Sequence, residues 1–244
     1  MFTRQSESFV KIANVVKRMT FLKPILKPLY ETYVSFLKKN RNAKFKKNGL
    51  RIISEFDKCL CSNNITYTLA FGSMLGAVRE KGFIKHDFDL DVAIWNDDYS
   101  TNIPKILKQA GFKLFHSITV DNGKLGREET YEKDGVAIDV FYIYEPIDKY
   151  PYCCDFIAFD GALSFDDSMK KFGGLITRRL QLPWEKNIIR VPFETIELPI
   201  CKNANQILQF RYGEDYMIPN PKWTYTGKNN YISVWENQKG KINH

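Results

Sequence analysis

No stretch of about eighteen consecutive apolar residues occurs in this chain, so no membrane-spanning helix is expected. No unbroken apolar segment opens it either: Arg4, Glu7, Lys11, Lys17 and Arg18 interrupt the first twenty residues, against a secretory leader. Low-complexity tracts and internal repeats are absent. The five cysteines are odd in number and include no CxxC. Cys59 and Cys61 lie two apart in a helical pattern and Cys153 and Cys154 are adjacent, so buried free thiols are expected rather than a zinc knuckle or a disulfide framework. Together these absences predict a cytosolic protein in a reducing compartment.

Basic charge is scarce where a nucleic-acid enzyme would place it. The net charge is +8, from 36 Lys/Arg and 28 Asp/Glu. Residues 1–50 hold 12 of the Lys/Arg and 2 Glu, or +10, which leaves −2 for residues 51–244. A nucleic-acid enzyme carries its basic excess around its cleft; here it sits in an N-terminal arm, and no nucleic-acid partner is expected. Within that arm Phe9, Ile12, Val15, Val16, Met19 and Leu22, then Leu29, Tyr33, Phe36 and Leu37, fall at helical spacing. Pro24 and Pro28 predict two helices with a bend. The apolar faces are expected to pack on the rest of the protein, or residues 1–40 to lie on an anionic membrane surface. We divide the chain into a basic helical arm, 1–47, and a domain spanning 48–244.

Asn42–Asn48 reads as a connector and 48–62 as a helix. A strand is expected at 65–71, a turn at Gly72-Ser73, a short helix at 74–80, a strand from Phe88 to Trp95 and a helix near 101–110. Strands at 112–120, 127–133 and 136–144 are separated by the hairpin signals Asp121-Asn122-Gly123 and Asp134-Gly135. Further expectations are a strand at 152–160, a helix at 170–182, strands near 188–191 and 194–198, a helix at 203–212, and a surface-wrapping tail from Pro219. The fold class is α+β, a mixed sheet flanked by helices.

The anomaly lies at Tyr67–Trp95. Asp87, Asp89 and Asp91 alternate and run directly into the apolar Val92-Ala93-Ile94. On a strand such residues share a face. A second anomaly is Asp139, a single carboxylate inside Ala137-Ile138-Asp139-Val140-Phe141. Buried carboxylates this close repel unless a cation joins them or one keeps its proton. Carboxylates from two strands make an oxygen site suited to Mg²⁺ or Mn²⁺. Gly72-Ser73, feeding a helix, places backbone N–H groups where they can meet phosphate oxygens. Arg79 and Lys85 are candidate phosphate contacts or solvated charges.

Gly72-Ser73, fifteen intervening residues, Asp89-Leu90-Asp91 and a later apolar-Asp-apolar strand resemble the nucleotidyltransferase fold. The wording of Gly72-Ser73-Met74-Leu75-Gly76-Ala77-Val78-Arg79, Lys81-Gly82-Phe83-Ile84, Asp89-Leu90-Asp91-Val92 and Ile138-Asp139-Val140-Phe141 is similar to the LicD/fukutin family of phosphotransferases. Leu198-Pro199-Ile200 and the segment Arg211–Pro219 resemble that family's C-terminal part. Where members commonly carry Trp-Asp-Asp-Asp, this chain has His86-Asp87-Phe88-Asp89; His86 is expected to pack or hydrogen-bond rather than act as a base.

The resemblance implies transfer of a phospho-substituent, phosphocholine or ribitol phosphate, from a CDP-linked donor to a glycan hydroxyl, with CMP released. It implies Asp89 and Asp91 as metal ligands and Asp139 as a third ligand or the base. Asp87 is a weaker candidate for either role, and Gly72, Ser73, Arg79 and Lys85 stand on the donor side. A lipid-linked acceptor at the inner membrane face would suit the basic arm. Two other readings share the same residues: a nucleotidyltransferase acting on a small molecule or RNA, and a non-catalytic glycan- or membrane-binding module.

Overall fold

The structure is a computed structural model describing residues 23–85, 87–161, 163–220 and 231–243. The first of the two expected arm helices, from Phe9 to Leu22, and the role of His86 lie outside the described residues.

Helix α1 spans Lys23–Ser62, 40 residues. It runs unbroken through Pro28 and through 42–48, where a bend and a connector were expected. Pro24 falls in the first turn, where no intrahelical bond is at stake, whereas Pro28 is the sixth helical residue and removes one i→i−4 bond without ending the helix. The polar segment 42–48, Asn-Ala-Lys-Phe-Lys-Lys-Asn, is more than half Ala and Lys, good helix formers, and it carries Phe45. Phe45 is buried, with its ring 5.0 Å from that of Phe83 and 6.0 Å from that of Phe88. From there Ile52, Ile53, Phe56 and Leu60 continue a buried stripe at helical spacing. Arg51 bonds Asp134 at 2.7 Å and Glu55 bonds Lys133 at 2.6 Å, tying the helix to a β-hairpin turn.

The main sheet has eight strands. In chain order these are β1 (Thr68–Leu69), β2 (Leu90–Trp95), β3 (Lys113–Val120), β4 (Gly126–Lys133), β5 (Val136–Ile143), β6 (Tyr152–Ile157), β7 (Leu175–Gln181) and, after the two-stranded hairpin β8 (Ile188–Phe193) and β9 (Ile196–Cys201), β10 (Ile232–Asn243). Their spatial order is β1-β2-β5-β4-β3-β10-β7-β6. Strands β2 and β5 are parallel; the other pairings are antiparallel. Among the described residues the further α-helices are α2 (Phe71–Arg79), α3 (Ile103–Gln109), α4 (Phe165–Phe172) and α5 (Ala204–Tyr212). This is the expected α+β architecture with its mixed sheet.

Two further expectations fail in this part of the chain. Residues 170–182 are not one helix. Helix α4 is capped at its start by Ser164, whose hydroxyl accepts from the Asp167 N–H at 2.9 Å, and ends at Gly173 with φ 70°. A left-handed glycine closes a helix in this way, and 175–181 then forms β7. The tail does not merely wrap either: residues 232–243 insert as β10 between β3 and β7. Its first part, to Gly240, pairs with β7 and Lys241–Asn243 pair with β3. A Cβ at Gly240 would run into the Phe156 ring, so glycine there allows a close approach.

Candidate active site

Strand β1 pairs with β2 through Thr68↔Ala93 and Leu69↔Val92, and the Ala70 N–H then donates to the Asp91 carbonyl at 2.9 Å. The chain turns at once into α2, so the helix begins at Phe71 and Gly72-Ser73 lies in its first turn rather than in a preceding turn. The first intrahelical bond is Met74 N–H to the Ala70 carbonyl, 3.0 Å, and no side chain caps this end. The N–H groups of Phe71, Gly72 and Ser73 therefore precede the helical ladder, the arrangement that suits an anion. Phe71 has φ 46°, costly for an aromatic residue. Packing holds it there: its buried ring lies 4.8 Å from Phe141 and 6.0 Å from Trp184.

The Ser73 hydroxyl accepts the Asp91 backbone N–H at 2.9 Å, joining the first turn of α2 to the aspartate strand. Asp91 is opposite Asp139 in the parallel β2–β5 register, so the two buried carboxylates rise side by side from one face. Asp87 and Asp89 are half-buried in the loop that enters β2. That loop is pinned at its start: the Glu194 carboxylate accepts the Phe83 N–H at 3.0 Å, and the Glu194 N–H donates to the Lys81 carbonyl at 2.7 Å. A Cβ on Gly72 would strike the Asp87 carboxylate. Glycine thus lets that carboxylate lie against the first turn of α2.

Burial first, then a hydrogen bond with Asp89 and the charges of Asp89 and Asp91, push the Asp87 carboxyl up to about 9. The crowded cluster keeps a proton when no cation is present, as like charges at close range require. The sign for stability follows. Between the ordinary Asp value of about 4 and about 9, the native state holds a proton that the unfolded chain has lost, so stability falls as pH rises through that window. Asp87→Asn removes this penalty. In urea titrations without divalent cation the variant should gain on wild type from about pH 4 to about pH 9 and match it below about pH 4. A gap independent of pH would contradict this.

The donor chemistry fits a hard divalent cation. Carboxylate oxygens from two strands suit Mg²⁺ or Mn²⁺, whose binding would displace the proton that the cluster otherwise retains. Among the described residues no three carboxylate, imidazole or thiolate groups form a ready-made centre, and Mg²⁺ usually takes one or two carboxylates plus substrate phosphates.

The candidate residues are not all gathered together. Asp91, Asp139, Gly72 and Ser73 converge, with Asp87 and Asp89 beside them. Arg79 stands at the other end of α2, about 12 Å along the axis from Phe71, where its guanidinium bonds Glu80 at 2.8 Å and the Tyr216 carbonyl at 3.2 Å. There it straps the C-terminal segment to α2. Lys85 is exposed in the loop.

A site residue that the sequence reading did not single out is Arg211 on α5. It is buried, with its guanidinium carbon 4.0 Å from the centre of the Phe71 ring. Arg211 and Asp91 act on the same two buried groups, the Cys153 thiol and the Tyr212 hydroxyl, each raised chiefly by burial. Its contact with Phe71 sets a cation against the first residue of α2. The signal was present in the sequence: Ala204, Ile207, Leu208 and Arg211 share one buried helical face, and a charge at an apolar helical position asks for a reason.

Residues 64–169 match the LicD/FKTN/FKRP nucleotidyltransferase domain. They are a LicD/FKTN/FKRP-family domain. The match holds the whole constellation from Gly72 to Asp139 and upholds the resemblance read from those residues. The ribitol-5-phosphate transferase FKTN of Homo sapiens is 26% identical over 189 residues, covering 74% of this chain and 36% of that protein. Its Mus musculus counterpart is 25% identical over the same length, with the same shares covered. An uncharacterized protein of Rickettsia typhi is 34% identical over 70 residues, 28% of this chain and 22% of that one. The chain spans about a third of the length of the FKTN relatives it matches. The LicD-family domain sits here on α1, and among the described residues no helix is long and apolar enough to cross a membrane.

Proposed function

We propose that this chain is a LicD-like phosphotransferase that moves a phospho-substituent, ribitol phosphate or phosphocholine, from a CDP-linked donor to a hydroxyl of a glycan and releases CMP. The observation that carries the reading is Asp91 beside Asp139 in register on parallel strands, with the first turn of α2 locked to Asp91 through Ser73. The name of the FKTN relatives, ribitol-5-phosphate transferase, supports the reaction class.

In this reading Asp89 and Asp91, with Asp139 as third ligand or base, hold Mg²⁺ or Mn²⁺, which supplies charge neutralisation on the diphosphate. The N–H groups of Phe71, Gly72 and Ser73 orient the donor's phosphate oxygens. Arg211 stabilises negative charge as CMP leaves. Where Asp139 acts as base, it takes the proton of the attacking hydroxyl. The remaining work is positioning, as in phosphoryl transfer generally.

The test is a panel of CDP-choline, CDP-ribitol, CDP-glycerol and CDP-ethanolamine with Mg²⁺ or Mn²⁺. One donor should give CMP in a chelator-sensitive reaction. Pyrophosphate from a nucleoside triphosphate, with no CMP from any of the four, would favour nucleotidyl transfer instead.

We also propose that residues 1–40 bring the protein to an anionic membrane surface carrying a lipid-linked acceptor. Residues 1–50 carry a charge of +10, and Phe36 on α1 is 62% exposed. Deleting 1–40 should abolish sedimentation with phosphatidylglycerol vesicles, and unchanged sedimentation would sink the idea.

A further inference from the structure

The loop that carries Asp87 and Asp89 has two sides. On one, the Asp87 carboxylate lies against Gly72 in the first turn of α2 and shares a hydrogen bond with Asp89. On the other is Phe88, the residue between them. Its ring meets that of Phe45 on α1 edge-on, with centroids 6.0 Å apart and an interplanar angle of 86°. The next residue of α1, the exposed Lys46, sets its ammonium 5.9 Å from the centre of the same ring, within cation–π reach. Phe45 also stands edge-on to Phe83 at 5.0 Å, and Phe83 to the buried Phe193 of β8 at 4.9 Å. Both ends of the loop thus rest on one aromatic chain that starts from α1.

The loop needs such an anchor. Asp87, Phe88 and Asp89 belong to no strand, and β2 begins only at Leu90. Along the backbone, the Asp87 N–H donates to the Ile84 carbonyl at 3.0 Å, a bond within the loop itself. Crowded carboxylates push such a segment open, and a segment without ladder bonds opens at low cost. A side chain seated on the core is what opposes this, and Phe88 packs against it.

We infer that Phe45 is a positioning residue for the metal site: by seating Phe88 on α1 it holds Asp87 and Asp89 against the first turn of α2. The inference rests on the metal assignment proposed above. Phe45 touches no reacting group and acts through Phe88 alone. It lies outside residues 64–169, the part that matches the family domain, so α1 supplies the site with a support that the matched domain does not contain. Residues that orient a metal's ligands are worth about 10–100-fold in metal affinity. Phe45 also lies beyond residue 40, so deleting 1–40 leaves this contact in place.

The test uses the full chain with Mn²⁺ alone and no donor, bound metal being read from the loss of the free-ion EPR signal. Phe88→Ala, at a half-buried loop position, should weaken Mn²⁺ binding about tenfold, and Phe45→Ala about as much. The double variant should be no weaker than either single one, because both remove the same contact. Phe56→Ala is the control for lost packing. It too is buried on α1, but its ring meets Tyr67 and Phe112; it should lose stability and keep its Mn²⁺ affinity within about twofold. A second readout needs no metal: amide hydrogen exchange over residues 83–90 should speed up at least about tenfold in Phe88→Ala, with 91–95 still protected. Wild-type affinity or unchanged exchange in Phe88→Ala, or additive losses in the double variant, would overturn the positioning role alone. No Mn²⁺ binding by wild type would defeat the metal assignment itself, and the inference with it.

Discussion

Asp91→Asn is expected to lower CMP release by roughly a thousandfold or more while leaving the protein folded. The substitution keeps the shape of the side chain. It also keeps both backbone bonds that set the strand against α2, from the Asp91 N–H to Ser73 and from the Ala70 N–H to the Asp91 carbonyl. It removes one of the charges that push the Asp87 carboxyl up, so the metal-free variant should melt no lower than wild type. Asp139→Asn should be equally damaging and divides its two roles. If Asp139 is a ligand, raised Mn²⁺ restores part of the rate; if it is the base, the acid limb of the pH–rate profile disappears and metal restores nothing. Wild-type turnover in Asp91→Asn would remove the metal assignment.

Arg178→Met should cost about 3–5 kcal/mol of stability, a large part of the roughly 5–15 kcal/mol that a domain has. Arg178 meets Asp155 through two parallel bonds, 2.8 and 2.5 Å, across the β6–β7 register. Both side chains are nearly buried, at 13% and 6% exposure. Removing the cation strands a buried carboxylate, which is the expensive part. The double variant Asp155→Leu/Arg178→Met should therefore recover most of the loss. Urea titrations read both, and a loss under about 1 kcal/mol, typical of a solvated surface pair, would contradict the account.

The difference between these two charge clusters explains what could be read from the sequence. Asp91 and Asp139 were legible because each interrupts an apolar run, and a buried carboxylate demands a partner. The Asp155–Arg178 pair was hidden by the misassigned helix at 170–182, which gave Arg178 no strand partner. The decisive cue was Gly173-Gly174, which ends α4 and frees the next seven residues to pair with β6. β10 left little trace, because Gly240 alone is buried along it and no alternating apolar face marks it. α1 was cut too short because 42–48 looked like a polar linker, although its residues favour helix and Phe45 fastens it to Phe83 and Phe88.

The central claim is that the phosphorus bearing the substituent, and not the phosphorus of CMP, moves to the acceptor. The fate of the two phosphorus atoms decides it. With the CDP donor that turns over, ³¹P NMR of the products should show the cytidine-bound phosphorus leaving as CMP and the distal phosphorus as a new diester on the glycan, and Asp91→Asn should show neither signal. A product that retains the cytidine-bound phosphorus would contradict the account, because it would make this site a nucleotidyltransferase.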